Sequence, residues 1–266
     1  MEQVHETMAG ATVTRVQVGP LLTNCYIVQS GTELMLIDPG MIWNRELEEV
    51  ATLIESAEAR LLEGECHRRR ENRIQRRIQA AHFPGIKTLE TFNWTWPRKI
   101  NRAQVQNLFR FAFLADHTNV IFLGGVGLGK THLATALGHR ACLEGYPVLF
   151  TTAVDMINTL SAAQAAQRLN TELRKYLTPP LLLLDEVGYL PIDKHGADLL
   201  FQVISARYEH GSIVLTTNKP FKQWATIFNN DSTLASAVLD RLLHHAETIV
   251  IEGSSYRMKE RNPDEG

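Results

Sequence analysis

The 266-residue sequence has no apolar run approaching the roughly 20 consecutive residues that a membrane-spanning helix requires, and the aliphatic string at 181–184 is only of strand length. Cysteine is scarce. Cys25, Cys66 and Cys142 are odd in number and widely spaced, which argues against a disulfide framework or a metal knuckle and leaves reduced, structural thiols. Where a secretory leader would place basic residues and then an apolar segment, the sequence has Glu2, His5 and Glu6. These absences predict a cytoplasmic protein with no membrane partner. Internal repeats and low-complexity tracts are also lacking, and a composition 44% hydrophobic and 21% charged is that of a chain that buries a core.

The net charge of −2 conceals an asymmetry. Residues 1–65 hold 3 Lys/Arg against 11 Asp/Glu, residues 66–110 hold 11 against 2, and residues 111–266 hold 13 against 16. An acidic head, a basic neck and a near-neutral body suggest three pieces, and the neck is the electrostatic footprint expected where nucleic acid binds.

From residue 119 onward, short apolar strands alternate with helical stretches, the pattern of an α/β fold with a parallel sheet sandwiched by helices. Strands are expected at 119–124, 147–152, 181–185, 212–217 and 248–251. Helices are expected at 130–143, 154–163, 165–177, 196–210 and 234–246, with Leu199, Leu200, Val203, Ile204 and Tyr208 on one face of the fourth. Ligands bind such a sheet at the carboxyl ends of its strands, so the loops after Gly124, Asp185 and Thr217 should converge. Upstream, two strands at 24–29 and 33–38, an acidic helix at 44–56 and a basic helix at 61–81 are expected.

The segment Gly124-Gly125-Val126-Gly127-Leu128-Gly129-Lys130-Thr131, followed by His132, fits G-x-x-x-x-G-K-[ST] between a strand and a helix. Its glycines allow successive backbone N–H groups to cradle phosphate oxygens at a helix N-terminus. Lys130 would reach the β and γ phosphates of ATP, and Thr131 would ligate Mg²⁺. A dinucleotide fingerprint fails, because Lys130 stands where the third glycine would follow Gly125 and Gly127. A protein kinase fails for want of H-R-D and D-F-G.

Leu181-Leu-Leu-Leu-Asp185-Glu186 ends a buried strand in two carboxylates. Asp185 would hold the magnesium shell and Glu186 would polarise the attacking water. Asn218, closing the next strand, is read either as an amide that orients that water or the γ phosphate or as a turn before Pro220. On spacing alone Arg241 reads as an ion-pair partner of Asp240 or a neighbouring acid, the alternative being a guanidinium offered to a neighbouring subunit's γ phosphate. His244 and His245 are adjacent, cannot share one helix face and have no Cys or carboxylate at ligand spacing, so no zinc site is expected. Arg69, Arg73, Arg76 and Arg77 on the basic helix, with Phe92, Trp94 and Trp96 nearby, point to contact with duplex DNA or RNA.

With these residues in place, the chain from about residue 57 to 261 resembles the IstB family, AAA+ ATPase helpers of insertion-sequence transposases related to the DnaC helicase loaders. The resemblance rests on GGVGLGKTHLA at 124–134, LLLLDEVGYLPID at 181–193, GADLLFQVISARYE at 196–209, TTN at 216–218, LDRLLHHAE at 239–247 and SYRMK at 255–259. It implies an ATP-dependent oligomer on duplex DNA that stimulates a transposase of the IstA type. It raises Asn218 to the sensor position and Arg241 to an arginine finger acting in trans. The helix pair at 154–177 corresponds to an insertion placed against nucleic acid, which adds Arg168, Arg174 and Lys175 as DNA contacts, and Arg257 is a further cation near the nucleotide. A helicase loader, or a fusion product that only binds nucleotide, stands as the alternative.

Residues 18–28 and 36–40 resemble instead the opening strands of a metallo-β-lactamase-type hydrolase, but the H-x-H-x-D-H metal motif does not follow. The expectation is a non-functional appendage over 1–56 joined near 56–60 to a basic helical neck over 57–110, an ATPase domain over 111–261 and a tail over 262–266.

Overall fold

The computed structural model describes residues 3–8, 11–18, 23–30, 33–37 and 60–258. Two compact units divide between Arg73 and Ile74, inside helix α1 (Arg60–Ala80). In the first, β1 (Gln3–Met8), β2 (Ala11–Val18), β3 (Thr23–Ser30) and β4 (Glu33–Ile37) form an antiparallel meander in chain order. The last two strands match expectation and the first two enlarge it. Thr12, Val13, Thr14, Val16 and Val18 give β2 the β-branched composition that favours a pleated ladder. Four paired strands exceed the three that an independently stable sheet needs, so the expected two-strand hairpin understated this unit. The acidic helix expected at 44–56, the junction at 56–60 and the tail lie largely or wholly outside the described residues.

The second unit is built on a parallel sheet. Its strands β5 (Asn119–Gly124), β6 (Val148–Thr152), β7 (Leu181–Val187), β8 (Ser212–Thr217) and β9 (Ala246–Ile251) lie in the order β6-β7-β8-β5-β9. Period-two alternation divides β7 between two cores. Leu182 and Leu184 join Met156, Leu160, Leu200, Val203 and Trp224, whereas Leu181 and Leu183 join Val105, Leu108, Leu133 and Leu137. Burial on both faces explains why β7 and β8 read as continuous apolar runs.

After α1, two short helices, α2 (Arg102–Leu108) and α3 (Ala112–Ala115), lead into β5. Helices α4 (Lys130–Leu143), α5 (Ala153–Ala165), α6 (Leu169–Leu177), α7 (Lys194–Arg207), α8 (Trp224–Ile227) and α9 (Ser232–Leu243) complete the unit. From β5 the chain crosses to β6 on one side of the sheet and ends at β9 on the other. The direction of winding therefore reverses beside β5, where an open α/β sheet forms its ligand crevice.

Helix α7 starts earlier than the sequence suggests because the Asp193 carboxylate caps it, accepting from Gly196 N at 2.8 Å. It ends at Arg207, so Tyr208 leaves the apolar face and Arg207 is the residue buried there, at 2% exposure. Its guanidinium donates to the carbonyls of Tyr176 (2.8 Å), Pro179 (2.9 Å), Pro180 (3.0 Å) and Ser212 (2.8 Å). These groups come from the end of α6, the connection into β7 and the start of β8. Burial pushes the guanidinium down to about 10, which leaves it charged at neutral pH. Replacing Arg207 with Leu strands those carbonyls, and the expected loss is about 3 kcal/mol or more of unfolding free energy in urea titrations.

Candidate functional site

The loop from β5 to α4 turns at two left-handed positions, Gly127 (φ +75°) and Gly129 (φ +86°). A Cβ would come within 2.1 Å of Ser255 Oγ at Gly127 and within 2.6 Å of the Phe92 ring at Gly129, so both conformation and space demand glycine. Lys130 opens α4 half-buried, its Nζ donating to the Gly125 carbonyl at 2.6 Å. Burial lowers the pKa of its ammonium, Asp185 opposes that shift, and Arg257 adds to it by like-charge repulsion. A glycine loop leading into a helix N-terminus, with two cations nearby, is a site for an anion.

Asp185 and Glu186 are adjacent, yet they are used differently because β7 bulges between them. Leu184 pairs with Leu215 and Val187 with Thr217, so β7 spends three steps where β8 spends two. Glu186 takes the extra place with φ +60°, uncommon for a residue with a side chain, and its N–H donates to Thr216 Oγ1 at 3.0 Å. Asp185 is 4% exposed. Its carboxylate lies 3.0 Å by either oxygen from Thr131 Oγ1 and accepts from Thr216 Oγ1 at 2.5 Å. Glu186 is exposed and lines the open cleft.

That cleft has a volume of about 500 Å³. Its lining includes Gly127 to His132, Glu186, Thr216, Thr217 and Asn218, together with Arg257. Asn218 Oδ1 is buried without a hydrogen-bond partner, an arrangement that is costly unless a water or a ligand meets it. Thr91, Phe92, Asn93 and Trp96 line the same cleft. Sequence reasoning placed the aromatics of this stretch on nucleic acid. The structure corrects this for Phe92, which is 7% exposed, 4.9 Å from the Trp94 ring and 5.4 Å from the His132 ring, and so is unavailable for base stacking. Residues 81–101 are also mostly irregular rather than a helical neck. Their aromatic and threonine content is the available signal for a wall around the phosphate loop, and charge counting hides it.

The carboxy-terminal segment closes the wall. Glu252 and Lys99 exchange backbone hydrogen bonds at 3.0 and 3.1 Å, Trp96 Nε1 donates to the Ser254 carbonyl at 2.9 Å, and Tyr256 N donates to the Gly127 carbonyl at 2.9 Å. Arg257 reaches the cleft by this route.

Arg241 is not in the cleft. It lies half-buried on the last turn of α9, donates from Nη1 to the Ala237 carbonyl at 3.0 Å and stacks 4.9 Å over the Phe201 ring. Among the described residues it forms no ion pair, so the pairing with Asp240 read from spacing is corrected in favour of these contacts. Arg69 and Arg76 are exposed on α1, with Arg73 and Arg77 half-buried. Arg168, Arg174 and Lys175 are exposed at the two ends of α6, and Lys175 holds Glu172 at 2.8 Å.

The residues suit the two groups that the sequence implies. A hydroxyl and a carboxylate at Thr131 and Asp185 are the hard oxygen donors that a magnesium ion takes. The phosphate loop, the cleft volume and the unsatisfied Asn218 oxygen fit a nucleoside triphosphate. The sequence pattern of the IstB-like ATP binding protein family matches residues 47–263. The chain belongs to that family. The IS5376 insertion-sequence protein of Geobacillus stearothermophilus is 41% identical over 206 residues, covering 77% of this chain and 82% of the relative. The IS21 protein of Pseudomonas aeruginosa is 44% identical over 200 residues, 75% of each chain. Both are named as ATP-binding proteins.

Among solved structures, AMPPCP-bound DnaA from Aquifex aeolicus has a TM-score of 0.55 at 22% identity, covering 69% of this chain and 56% of its own. The DnaC helicase loader has a TM-score of 0.50 at 23% identity, covering 62% and 96%. At such identity these likenesses show the fold, a P-loop sheet of the AAA+ kind, as the motifs led us to expect. The IstB-like match begins at residue 47, and these relatives lend no support to the metallo-β-lactamase likeness farther upstream.

His132 supplies a test of the wall. Its Nε2 donates to the Thr88 carbonyl at 2.9 Å and lies 3.3 Å from Thr91 Oγ1. Burial lowers its pKa below the usual 6.5, with the Thr88 contact opposing that shift. The unfolded chain therefore takes up this proton first, and the contribution is complete above about pH 6.5 and lost as pH falls through the lowered value. Thermal melts of wild type should drop on acidification below pH 6.5, and His132→Gln should drop less over the same range.

Proposed function

We propose that this IstB-like protein binds and hydrolyses ATP with Mg²⁺ and uses that cycle to assemble on duplex DNA as the helper of an insertion-sequence transposase. The observation that carries the reading is the convergence of Lys130, Thr131, Glu186 and Asn218, with its unsatisfied oxygen, on one cleft, and the buried Asp185 held against Thr131 behind them. The amides of Gly125 to Lys130 cradle the phosphates, and Lys130 exchanges its Gly125 carbonyl for the β and γ oxygens. Thr131 and Asp185 hold the magnesium ion, which neutralises charge on those phosphates when bound. Glu186, directed into the cleft by the bulge, orients the attacking water and takes its proton, and Asn218 positions that water or the γ phosphate. Arg257 adds positive charge from the same chain.

Arg241 lies outside its own cleft, and the family resemblance assigns it to a neighbouring subunit's γ phosphate. Val126, Tyr189 and Leu190 are 44%, 51% and 55% exposed, with Val126 and Tyr189 at the cleft, and give a neighbouring subunit apolar surface to cover. Duplex DNA is assigned to the arginines of α1 and to Arg168, Arg174 and Lys175, through backbone phosphates rather than bases. The transposase follows from the insertion-sequence names of the relatives. The meander of residues 3–37 takes no part in the chemistry.

Steady-state ATP hydrolysis with and without duplex DNA tests this reading. DNA should stimulate wild type. Lys130→Ala should abolish turnover, and Glu186→Gln should cut it by about 10²-fold or more while retaining ATP binding. Arg241→Ala should lower kcat by about 10³-fold with nucleotide affinity kept. Unchanged activity in Arg241→Ala removes the trans assignment, and unchanged activity in Lys130→Ala overturns the site.

A further inference from the structure

The amino-terminal end of the sheet carries a second cluster of chemically active side chains. Helix α9 ends at Leu243, with His244 as its capping residue and β9 starting at Ala246. The adjacent imidazoles are therefore released from helical spacing, and their ring centroids lie 4.2 Å apart. Glu209, just beyond α7 and before β8, sits at φ +59°. One ligand atom from each of Glu209, His244 and His245 can be chosen so that all three lie within 4.8 Å of one another. The expectation that these histidines lack a carboxylate is corrected here: the partner comes from 35 residues upstream of His244, through the sheet rather than through local spacing.

We propose that Glu209, His244 and His245 bind a zinc-class divalent transition metal, at a site separate from the magnesium position. The two imidazole nitrogens are borderline donors that, together with one carboxylate, select Zn²⁺, Co²⁺, Ni²⁺ or Cu²⁺ over Mg²⁺ and Ca²⁺. A tetrahedral zinc site has ligand atoms about 3.3 Å apart, so a contraction of up to about 1.5 Å closes this one. All three residues are exposed, with the Glu209 carboxylate hydrogen-bonded to the Tyr208 hydroxyl. The site also has an outer partner. Tyr208 Oη lies 2.8 Å from His244 Nδ1. With the Nδ1 hydrogen donated to that hydroxyl, Nε2 presents its lone pair to the metal, as metal-bound histidines ordinarily do.

A cavity of about 10 Å³, lined in part by Glu209 and His245, adjoins the cluster and matches the room one water needs. That water supplies the fourth ligand. Occupancy ties the end of α7 to the end of α9, three residues from Arg241.

The test is Co²⁺ titration of the tag-free full chain, without nucleotide and with millimolar Mg²⁺ present, followed by visible absorption. Wild type should bind one equivalent with the d–d bands of a tetrahedral site. Tyr208→Phe should weaken binding by about tenfold. The double variant Glu209→Gln, His245→Ala should lose the bands while keeping the far-ultraviolet dichroism of wild type. Absence of the bands in wild type, or their survival in the double variant, overturns the proposal. Zn²⁺ should also raise the Tm of wild type and leave that of the double variant unmoved.

Discussion

The carboxylate of Asp185 is the point on which the site depends. It is buried at the end of β7 and receives the hydroxyl of Thr131 from α4 and that of Thr216 from β8. A charge removed from water at 4% exposure is tolerable only when hydrogen-bonded or paired, and here the partners come from the two neighbouring elements. This one group therefore fixes the phosphate loop against the sheet and sets the register of β7 against β8. The bulge that follows pushes Glu186 outward, so one strand end delivers a buried metal holder and an exposed water-directing carboxylate side by side. Thr216 serves both, donating to Asp185 and accepting from the Glu186 amide.

Around that point the cleft is completed by segments far apart in sequence. The stretch from Thr88 to Trp96 leans on Gly129 and His132, and the segment from Glu252 to Arg257 closes over Gly127. The two left-handed glycines are thus contact surfaces as well as turns, since a side chain at either would displace Phe92 or Ser255. The opposite end of the sheet is organised separately, by the buried Arg207 clamp and by the half-buried Tyr208 and the exposed Glu209, His244 and His245 beside Arg241. In the reading offered here, one end of the sheet holds nucleotide and the other presents a finger to a neighbour.

The sheet was legible because residues 181–184 of β7 and 213–215 of β8 are buried on both faces and so are apolar, and because the phosphate loop demands a fixed spacing of glycine, lysine and threonine. The fold and the phosphate loop at 124–132 were read from those two constraints, Asp185 and Glu186 from the carboxylates that end an apolar strand, and Asn218 only through the family resemblance. What the sequence hid is tertiary. Period-two reasoning cannot show that an extra residue at Glu186 lets consecutive carboxylates serve the same site. Charge counting made residues 66–110 a basic neck, although Phe92 within it packs on the phosphate loop at Gly129. Arg207 was invisible for a related reason, since a cation whose hydrogen bonds go to carbonyls leaves no acidic partner to read. The histidine pair needed a carboxylate from another strand's approach, which local spacing does not reveal. In the first unit, the strands read at 24–29 and 33–38 anticipated β3 and β4 and missed the β-branched run of β2.

The most direct measurement is ATP affinity with and without Mg²⁺ in wild type and Asp185→Asn, by equilibrium titration of a fluorescent ATP analogue. The account predicts that Mg²⁺ tightens binding to wild type and that this gain disappears in Asp185→Asn while metal-free binding persists through the phosphate loop. An equal Mg²⁺ effect in both proteins would contradict the central place given to Asp185.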